Sequence, residues 1–242
     1  MDYRKLERDL CEWIENYVAS TGCKGVVYGL SGGLDSSVVG VLSNKIFKEN
    51  ALGLIMPIEK KGSDFEDAMK LKEKFNLNVD VLDLTSAYNE LKSIYIPSTN
   101  TLAYSNIKPR LRMMTLYYHA QINNFLVIGT TNLSEFTIGY STKYGDYGVD
   151  FSPIADITKT EIFEFAKYLG IPNSIIEKKP SAGLWEGQSD EDELGFSYEE
   201  LDKYILEGVG EKETVDKIER LIKINSHKKH MPEIFKLNRG DY

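Results

Sequence analysis

A serine-glycine loop carrying one carboxylate, Ser31-Gly32-Gly33-Leu34-Asp35-Ser36, is the stretch of this chain best suited to chemistry. It lies between two apolar runs, Gly25-Val26-Val27-Tyr28 and Val38-Val39-Gly40-Val41-Leu42, and so reads as a turn from a buried strand into a helix. Such a turn takes phosphate. Its glycines let backbone N–H groups approach an anion, and a helix start adds unpaired donors and the positive end of its dipole. The hydroxyls of Ser31, Ser36 and Ser37 are further donors. Neither common nucleotide fingerprint fits, because no G-x-x-x-x-G-K-[ST] lysine follows and the glycine spacing is not G-x-G-x-x-G. Asp35 is the distinctive member: a carboxylate beside phosphates repels them unless a divalent cation lies between, and Mg²⁺ favours carboxylate and phosphate oxygens. The bland alternative is a glycine turn in which Asp35 or Ser36 caps the helix.

Further polar residues sit where a second strand should end. Phe125-Leu126-Val127-Ile128-Gly129-Thr130-Thr131-Asn132 reads as a buried strand running into a polar turn, and the helical turn after it carries Glu135. Glu135 is a second carboxylate that by itself reads as a solvated glutamate; sharing a cation with Asp35 rests on the resemblance given below, not on spacing. Thr158 and Glu161 match a capping box, which places Lys159 in the first turn of a helix ending at Gly170. The dipole disfavours a cation there, so an anionic neighbour such as a polyphosphate would explain it; the alternative is an ordinary surface lysine.

The elements that must hold these residues follow from periodicity. Tyr3, Leu6, Leu10, Trp13 and Tyr17 recur at helical spacing and form a core or dimer-contact stripe. Short apolar runs at 51–57 and 79–84 alternate with helical stretches at 64–75 and to about 91. Strands alternating with helices predict a parallel, doubly wound α/β sheet, with its ligand crevice at the carboxyl ends of the strands. Residues 97–106 read as a loop leading into a helix from Ile107 to about Asn123. On that helix Ile107, Leu111, Met114, Tyr118 and Ile122 share a face at about 100° per residue. Arg110 flanks the face and Arg112 points nearly opposite, so the spacing makes Arg110 the arginine able to reach a cleft, where its fork suits phosphate or carboxylate. A solvated helix arginine is the alternative.

The aperiodic segment 140–150, with Tyr140, Tyr144 and Tyr147, reads as a loop closing on a flat ligand rather than as a disordered connection. Residues 180–195, with Ser181 and Trp185, are a candidate second mobile loop. Ser197 and Glu200 open another capped helix toward Gly208, and 213–225 forms one more. The tail Ser226-His227-Lys228-Lys229-His230 is the only basic cluster and by itself is a solvated helix end.

Composition narrows the function classes. The chain has 242 residues, 42% hydrophobic and 27% charged, which suits one domain, 1–242, with a C-terminal helical segment from about 197. Net charge is −8, from 37 acidic and 29 basic residues, which argues against a polynucleotide partner and for a small substrate. The start has no apolar secretory core and no later stretch approaches the ~20 apolar residues of a membrane span, so the expectation is a cytoplasmic protein without a membrane partner. Cys11 and Cys23 form no metal motif and are expected to be reduced, structural thiols.

The loop 31–36 resembles the S-G-G-x-D-S loop of ATP pyrophosphatases. In order along the chain, Asn106-Ile107-Lys108-Pro109-Arg110-Leu111-Arg112-Met113, Gly129-Thr130-Thr131-Asn132-Leu133-Ser134-Glu135, Thr142-Lys143-Tyr144-Gly145-Asp146, Thr158-Lys159, Lys179-Pro180-Ser181-Ala182, Gln188-Ser189-Asp190-Glu191 and His227-Lys228 extend the likeness over nearly its whole length. The set resembles the ammonia-dependent NAD synthetases of the N-type ATP pyrophosphatase superfamily, which implies an adenine nucleotide α-hydrolase-like fold. The resemblance implies ATP on Gly29, Leu30, Ser31, Gly32, Gly33, Leu34, Asp35, Ser36, Thr130, Lys159 and Ser181, and Mg²⁺ on Asp35 and Glu135. It implies deamido-NAD on Arg110, Lys143, Asp150, His227 and Lys228, ammonia as nitrogen donor, and a homodimer. Asp146 is the choice for taking a proton from ammonium. The chain has no room for a separate glutaminase domain, so free ammonia, or ammonia from another protein, is expected. Two departures stand out: Thr131-Asn132 replaces Asp-His after Thr130, and Ser181 stands where threonine is also common. Competing readings are another ATP pyrophosphatase, such as a GMP-synthetase-like amidase or a transfer-RNA-modifying enzyme, and a non-catalytic nucleotide sensor.

Overall fold

A computed structural model of the chain describes residues 1–181 and 189–239. Helix α1 (Tyr3–Thr21) starts on the Asp2 side chain, which accepts from the Lys5 N–H, and stops at left-handed Gly22. The chain then alternates as the apolar runs require: β1 (Gly25–Gly29), α2 (Leu34–Phe47), β2 (Ala51–Ile55), α3 (Ser63–Phe75), β3 (Val79–Val81) and α4 (Thr85–Ile94). After α5 (Thr101–Ser105) and α6 (Ile107–Asn123) come β4 (Phe125–Val127) and α7 (Leu133–Ile138). The remaining helices are α8 (Lys159–Leu169), α9 (Asn173–Ile176), α10 (Asp190–Leu194), α11 (Tyr198–Glu207) and α12 (Lys212–Asn225).

All strand pairs are parallel, in the order β3-β2-β1-β4. Successive strand residues point to opposite faces, and both faces are covered. Val26 and Tyr28 join Ile14 of α1, Val38 and Leu42 of α2 and Ile162 and Phe165 of α8 in one core, while Val27, Leu52 and Leu54 meet Leu116 and Ala120 of α6 in the other. The order reverses direction at β1: β2 and β3 lie on one side of it and β4 on the other. The crevice beyond the carboxyl ends of β1 and β4 is therefore the switch point where a sheet of this kind takes its ligand.

Several expectations change. Residues 97–106 are not all loop, because the Asn100 side chain accepts from the Ala103 N–H and starts α5. Beyond Val127, β4 gives way to a single bridge between Ile128 and Phe151. The apolar stripe of α6 is not a core face: Met114, Tyr118 and Ile122 are 58%, 64% and 60% exposed, and only Leu111 of the five is buried. Cys11 and Cys23 are free thiols, and among the described residues no helix is long and apolar enough to cross a membrane.

Candidate active site

The loop after β1 is locked by its neighbours. Gly32 has φ +84°, and a Cβ there would lie 2.0 Å from the Asp64 carbonyl oxygen of α3, so only glycine fits. Gly33 is the N-cap of α2 and no side chain caps this helix, which sets aside capping as the role of Asp35 or Ser36. Gly29, Leu30, Ser31 and Gly33 through Ser36 line a cavity of about 1780 Å³, whereas Gly32 supplies the bend. Ser31 and Ser36 hydroxyls lie 2.9 Å apart at the cavity surface. Ser37 does not join them: it is fully buried and donates to the Gly33 carbonyl at 2.7 Å, holding the helix start instead of a ligand.

Three charges meet at the switch point. The Lys159 ammonium donates to Asp35 Oδ2 at 2.5 Å and to Glu135 Oε1 at 3.1 Å. Lys159 is 4% exposed, and a buried cation is tolerated only when paired. Burial works to lower the pKa of Lys159, but the two carboxylates outweigh it and hold the ammonium charged. Burial pushes Glu135 up to about 7, with the Asp35 charge adding to the rise and Lys159 opposing it. The first-turn cation that the dipole disfavours is thus explained by two carboxylates facing it.

The triad is held from behind. Asn132 uses both ends of its amide: Oδ1 accepts from the Glu135 N–H and caps α7, while Nδ2 donates to Asp35 Oδ1 at 3.0 Å. Asp202 of α11 accepts from the Ser134 hydroxyl and, at 2.8 Å, from the Thr160 N–H; Ser134 Oγ in turn accepts from the Lys159 N–H at 2.8 Å. One buried carboxylate therefore ties together the starts of α7 and α8, which carry Glu135 and Lys159. The Tyr198 ring lies 5.3 Å from the Lys159 ammonium, and its hydroxyl donates to Asp190 at 3.1 Å.

The opposite wall comes from α6 and the turns at 139–149. Pro109, Arg112, Met113 and Leu116 of α6 face the cavity, at helical spacings of three and four. Of the two arginines of α6, Arg112 lines the cavity and Arg110 is exposed and does not, so the arginine read from the apolar wheel is corrected. The wheel misled because its apolar face points to solvent. Asp146 opens on the cavity, and its Oδ2 accepts from the Thr142 N–H at 2.8 Å. Burial raises its pKa, against backbone hydrogen bonds and the charges of Arg112 and Lys228. Lys228 lines the cavity and donates to the carbonyls of Gly139 and Ser141, each at 2.9 Å.

The other sequence candidates divide into two groups. Thr130 and Ser181 line the cavity with the phosphate loop. Arg110, Lys143 and His227 form a chain beyond its edge: Arg110 Nε donates to the Lys143 carbonyl at 3.2 Å, and Lys143 Nζ lies 3.2 Å from His227 Nδ1. Asp150 does not line the cavity; its carboxylate accepts from the Val127 N–H at 2.7 Å and the Tyr117 hydroxyl at 3.2 Å. Two of the three loop tyrosines are committed elsewhere, Tyr140 to Asp190 and Glu193 and Tyr147 to the Glu135 carbonyl. Trp185 lies outside the described residues. Asp202 and Tyr198 carry no local sequence signal because their partners are distant in sequence or lie on other elements, and Asp190 enters only through the resemblance.

The donor set also fits a divalent cation. Asp35 and Glu135 offer hard oxygen ligands on facing elements beside the phosphate loop, and Mg²⁺ is commonly held by one or two carboxylates with substrate phosphates completing the shell. Among the described residues no group of three or more metal-ligating side chains occurs, so phosphate oxygens would have to contribute.

A family model described as NAD synthase matches residues 6–232. The chain belongs to the NAD synthase family. Within it, the NH(3)-dependent NAD(+) synthetase of Finegoldia magna is 49% identical over 242 residues, covering 100% of both chains. The NH(3)-dependent NAD(+) synthetase of Carboxydothermus hydrogenoformans is 46% identical over 238 residues, 97% of this chain and 98% of that one. Among solved structures, NMN synthetase from Francisella tularensis superposes with a TM-score of 0.94 at 33% identity, covering 98% of this chain and 100% of that one. The NH3-dependent NAD synthetase of Campylobacter jejuni, in complex with the nitrate ion, gives a TM-score of 0.82 at 32% identity with the same coverage. The α/β architecture of this NAD synthase family member is that of its solved relatives.

Proposed function

We infer that the protein amidates deamido-NAD with ammonia, consuming ATP and releasing NAD, AMP and pyrophosphate. The observation that carries this reading is the Lys159 ammonium set between Asp35 and Glu135 at the mouth of β1 and β4, beside a glycine loop shaped for phosphate. The cavity is larger than the ~300–1,000 Å³ of an ordinary small-molecule site, which suits two nucleotides meeting in it.

The chemistry follows from the groups on each wall. A carboxylate is a poor acyl donor because oxide is a poor leaving group. Attack of the nicotinate carboxylate on the α-phosphorus forms the acyl–phosphate bond and breaks the bond to pyrophosphate, which leaves with the electron pair. Lys159 and the backbone of the phosphate loop stabilise the charge that develops on the leaving group. Mg²⁺, held by Asp35 and Glu135, would supply Lewis-acid neutralisation of phosphate oxygens. Ammonia then attacks the acyl carbon and AMP departs. Asp146 takes the proton that the new amide must lose, and its raised pKa brings it nearer the working range of a general base. Thr130 and Ser181 serve ATP, while Lys228 and the rim formed by Arg110, Lys143 and His227 serve the deamido substrate. Asp150, lying outside the cavity of one chain, fits a substrate role only if a second copy completes the site.

A homodimer is part of this reading. Its support is the stripe Met114, Tyr118 and Ile122, apolar and exposed on one side of α6. Exposed apolar surface of this sort marks interfaces. Tyr118→Glu with Ile122→Glu is expected to convert a dimer to a monomer in sedimentation. The cytoplasm is the expected compartment, consistent with two unpaired cysteines.

The TM-score of 0.94 to an NMN synthetase favours one second reading, amidation at the mononucleotide level. Purified protein with Mg²⁺-ATP and ammonium decides between them. A kcat/KM higher for deamido-NAD than for nicotinate mononucleotide upholds the first reading, and the reverse order upholds the second. Pyrophosphate release with neither removes both. Glutamine in place of ammonium is expected to give no product.

A further inference from the structure

We propose that the guanidinium of Arg112 is a binding site for an oxyanion of the reacting pair, either the α-phosphate of the nucleotide or the carboxylate that attacks it. The inference rests on reading this cavity as the synthetase site and names a residue on the wall opposite Lys159.

Arg112 Nε donates to the Met56 carbonyl oxygen at 3.1 Å, just beyond the end of β2. That bond fixes the plane of the guanidinium and uses one of its five N–H donors. Among the described residues no carboxylate forms an ion pair with Arg112 and no other hydrogen bond holds it, although the side chain lines the cavity with Pro109, Met113 and Leu116. Burial is the main perturbation of its pKa, and Asp146 is the charge that acts on it. The side chain is half-buried; an arginine stays ionised in such a place, and the donors left over on its fork are open to an anion. Lys159 has two carboxylates at hydrogen-bonding distance; Arg112 has none. Its remaining N–H groups form a planar fork, the geometry that matches carboxylate and phosphate oxygens in two parallel hydrogen bonds.

The position suits the reaction. Two anions, a carboxylate and an α-phosphate, must come into bonding contact before the acyl–phosphate bond forms and pyrophosphate leaves with its electron pair. A fixed cation beside them reduces their repulsion and meets the charge of the transition state, in a pocket whose apolar neighbours strengthen the effect. Arg112 also lies near enough to Asp146 to influence its charge, which places it beside the later proton transfer.

The test uses Arg112→Gln, Arg112→Lys and Arg112→Ala beside the wild-type protein, with thermal unfolding as the folding control. Initial rates give kcat and the KM of ATP and of deamido-NAD, and calorimetry gives binding of AMP and of deamido-NAD. Arg112→Gln keeps an amide donor for Met56 and is expected to lose on the order of 10- to 100-fold in kcat/KM. Arg112→Lys should recover part of that loss, and added guanidinium ion at non-denaturing concentration should partly restore Arg112→Ala. Weaker AMP binding identifies the phosphate as the partner; weaker deamido-NAD binding identifies the carboxylate. Wild-type kinetics in Arg112→Gln, or a loss in Arg112→Ala that guanidinium leaves untouched while Arg112→Gln is normal, overturns the inference. An inactive wild-type protein instead defeats the reading of the cavity, so the two failures are told apart.

Discussion

The two walls of the cavity hold their cations differently, buried and ion-paired on one and half-buried on backbone carbonyls on the other. On the wall formed by the phosphate loop, α7 and α8, the Lys159 cation is shared by two carboxylates, Asp35 and Glu135, while Asn132 steadies Asp35 and Asp202 ties both helix starts. On the wall formed by α6 and residues 139–149, the hydrogen bonds of Arg112 and Lys228 among the described residues go to backbone carbonyls, and Asp146 is the carboxylate whose charge acts on both. A wall whose cation is already paired can act as a fixed electrostatic frame before any ligand arrives. A wall where two cations share one carboxylate and otherwise rest on neutral carbonyls has capacity left over for anions. On the proposed function, the first wall would take metal and pyrophosphate, and the second the anions that react, the α-phosphate and the acceptor carboxylate.

The strongest way to break this contrast is to unbalance the first wall. Asp35→Ala is expected to cut pyrophosphate release by on the order of 100- to 1,000-fold, with ATP affinity reduced far less, because the loop backbone remains. Retained turnover would show that the triad is structural only.

Loosening the frame from behind should act next in size. Asp202→Asn replaces a charged acceptor of two hydrogen bonds inside a buried cluster, and a stability loss of about 1–3 kcal/mol is expected in denaturant unfolding, with a fall of roughly tenfold in kcat as Lys159 and Glu135 lose their shared anchor. Unchanged kcat would mean that the pairing of α7 and α8 survives without it.

The second wall is sharpened by Lys228→Met, which removes the charge but keeps an unbranched stem. The KM of deamido-NAD should rise by about tenfold while that of ATP stays put; a rise in the ATP value instead would erase the division between the walls.

The smallest effect concerns pH. Burial raises Glu135 to about 7 from an ordinary 4.5, so between those values the folded chain holds a proton that the unfolded chain has lost. This group's contribution to stability is complete below about 4.5 and is lost as pH rises through about 7. Unfolding midpoints of the ligand-free protein between pH 5 and 8 should therefore decline less steeply in Glu135→Gln than in the wild type. Parallel pH profiles would place the titration elsewhere.

The same two walls differ in how much the sequence disclosed. The loop 31–36 and the capping box at Thr158 are local devices, written in consecutive residues, and the structure has both where the spacing puts them. The parallel sheet followed from the alternation of apolar runs and helical stretches. Arg112 was missed for a physical reason: periodicity marks the apolar side of a helix but not what covers it. On α6 the apolar stripe faces out and the cavity face is a mixed set of Pro109, Arg112, Met113 and Leu116. Asp202 lies 68 positions from Ser134, and no short-range pattern joins them. Lys159 is legible as an oddity, a cation in the wrong turn of a helix that calls for an anionic neighbour, but that the neighbours are Asp35 and Glu135 comes from the structure alone.

The Asn132 amide sets the charge of the first wall as well as its shape. The amide can satisfy both partners in only one orientation, oxygen toward α7 and nitrogen toward Asp35. Hydrolysis of that amide to a carboxylate would keep the cap and turn the donor into an anion 3.0 Å from Asp35. A change of one terminal group, with the outline of the side chain unaltered, would thus set a third negative charge beside Asp35 and Glu135 against the single Lys159 cation.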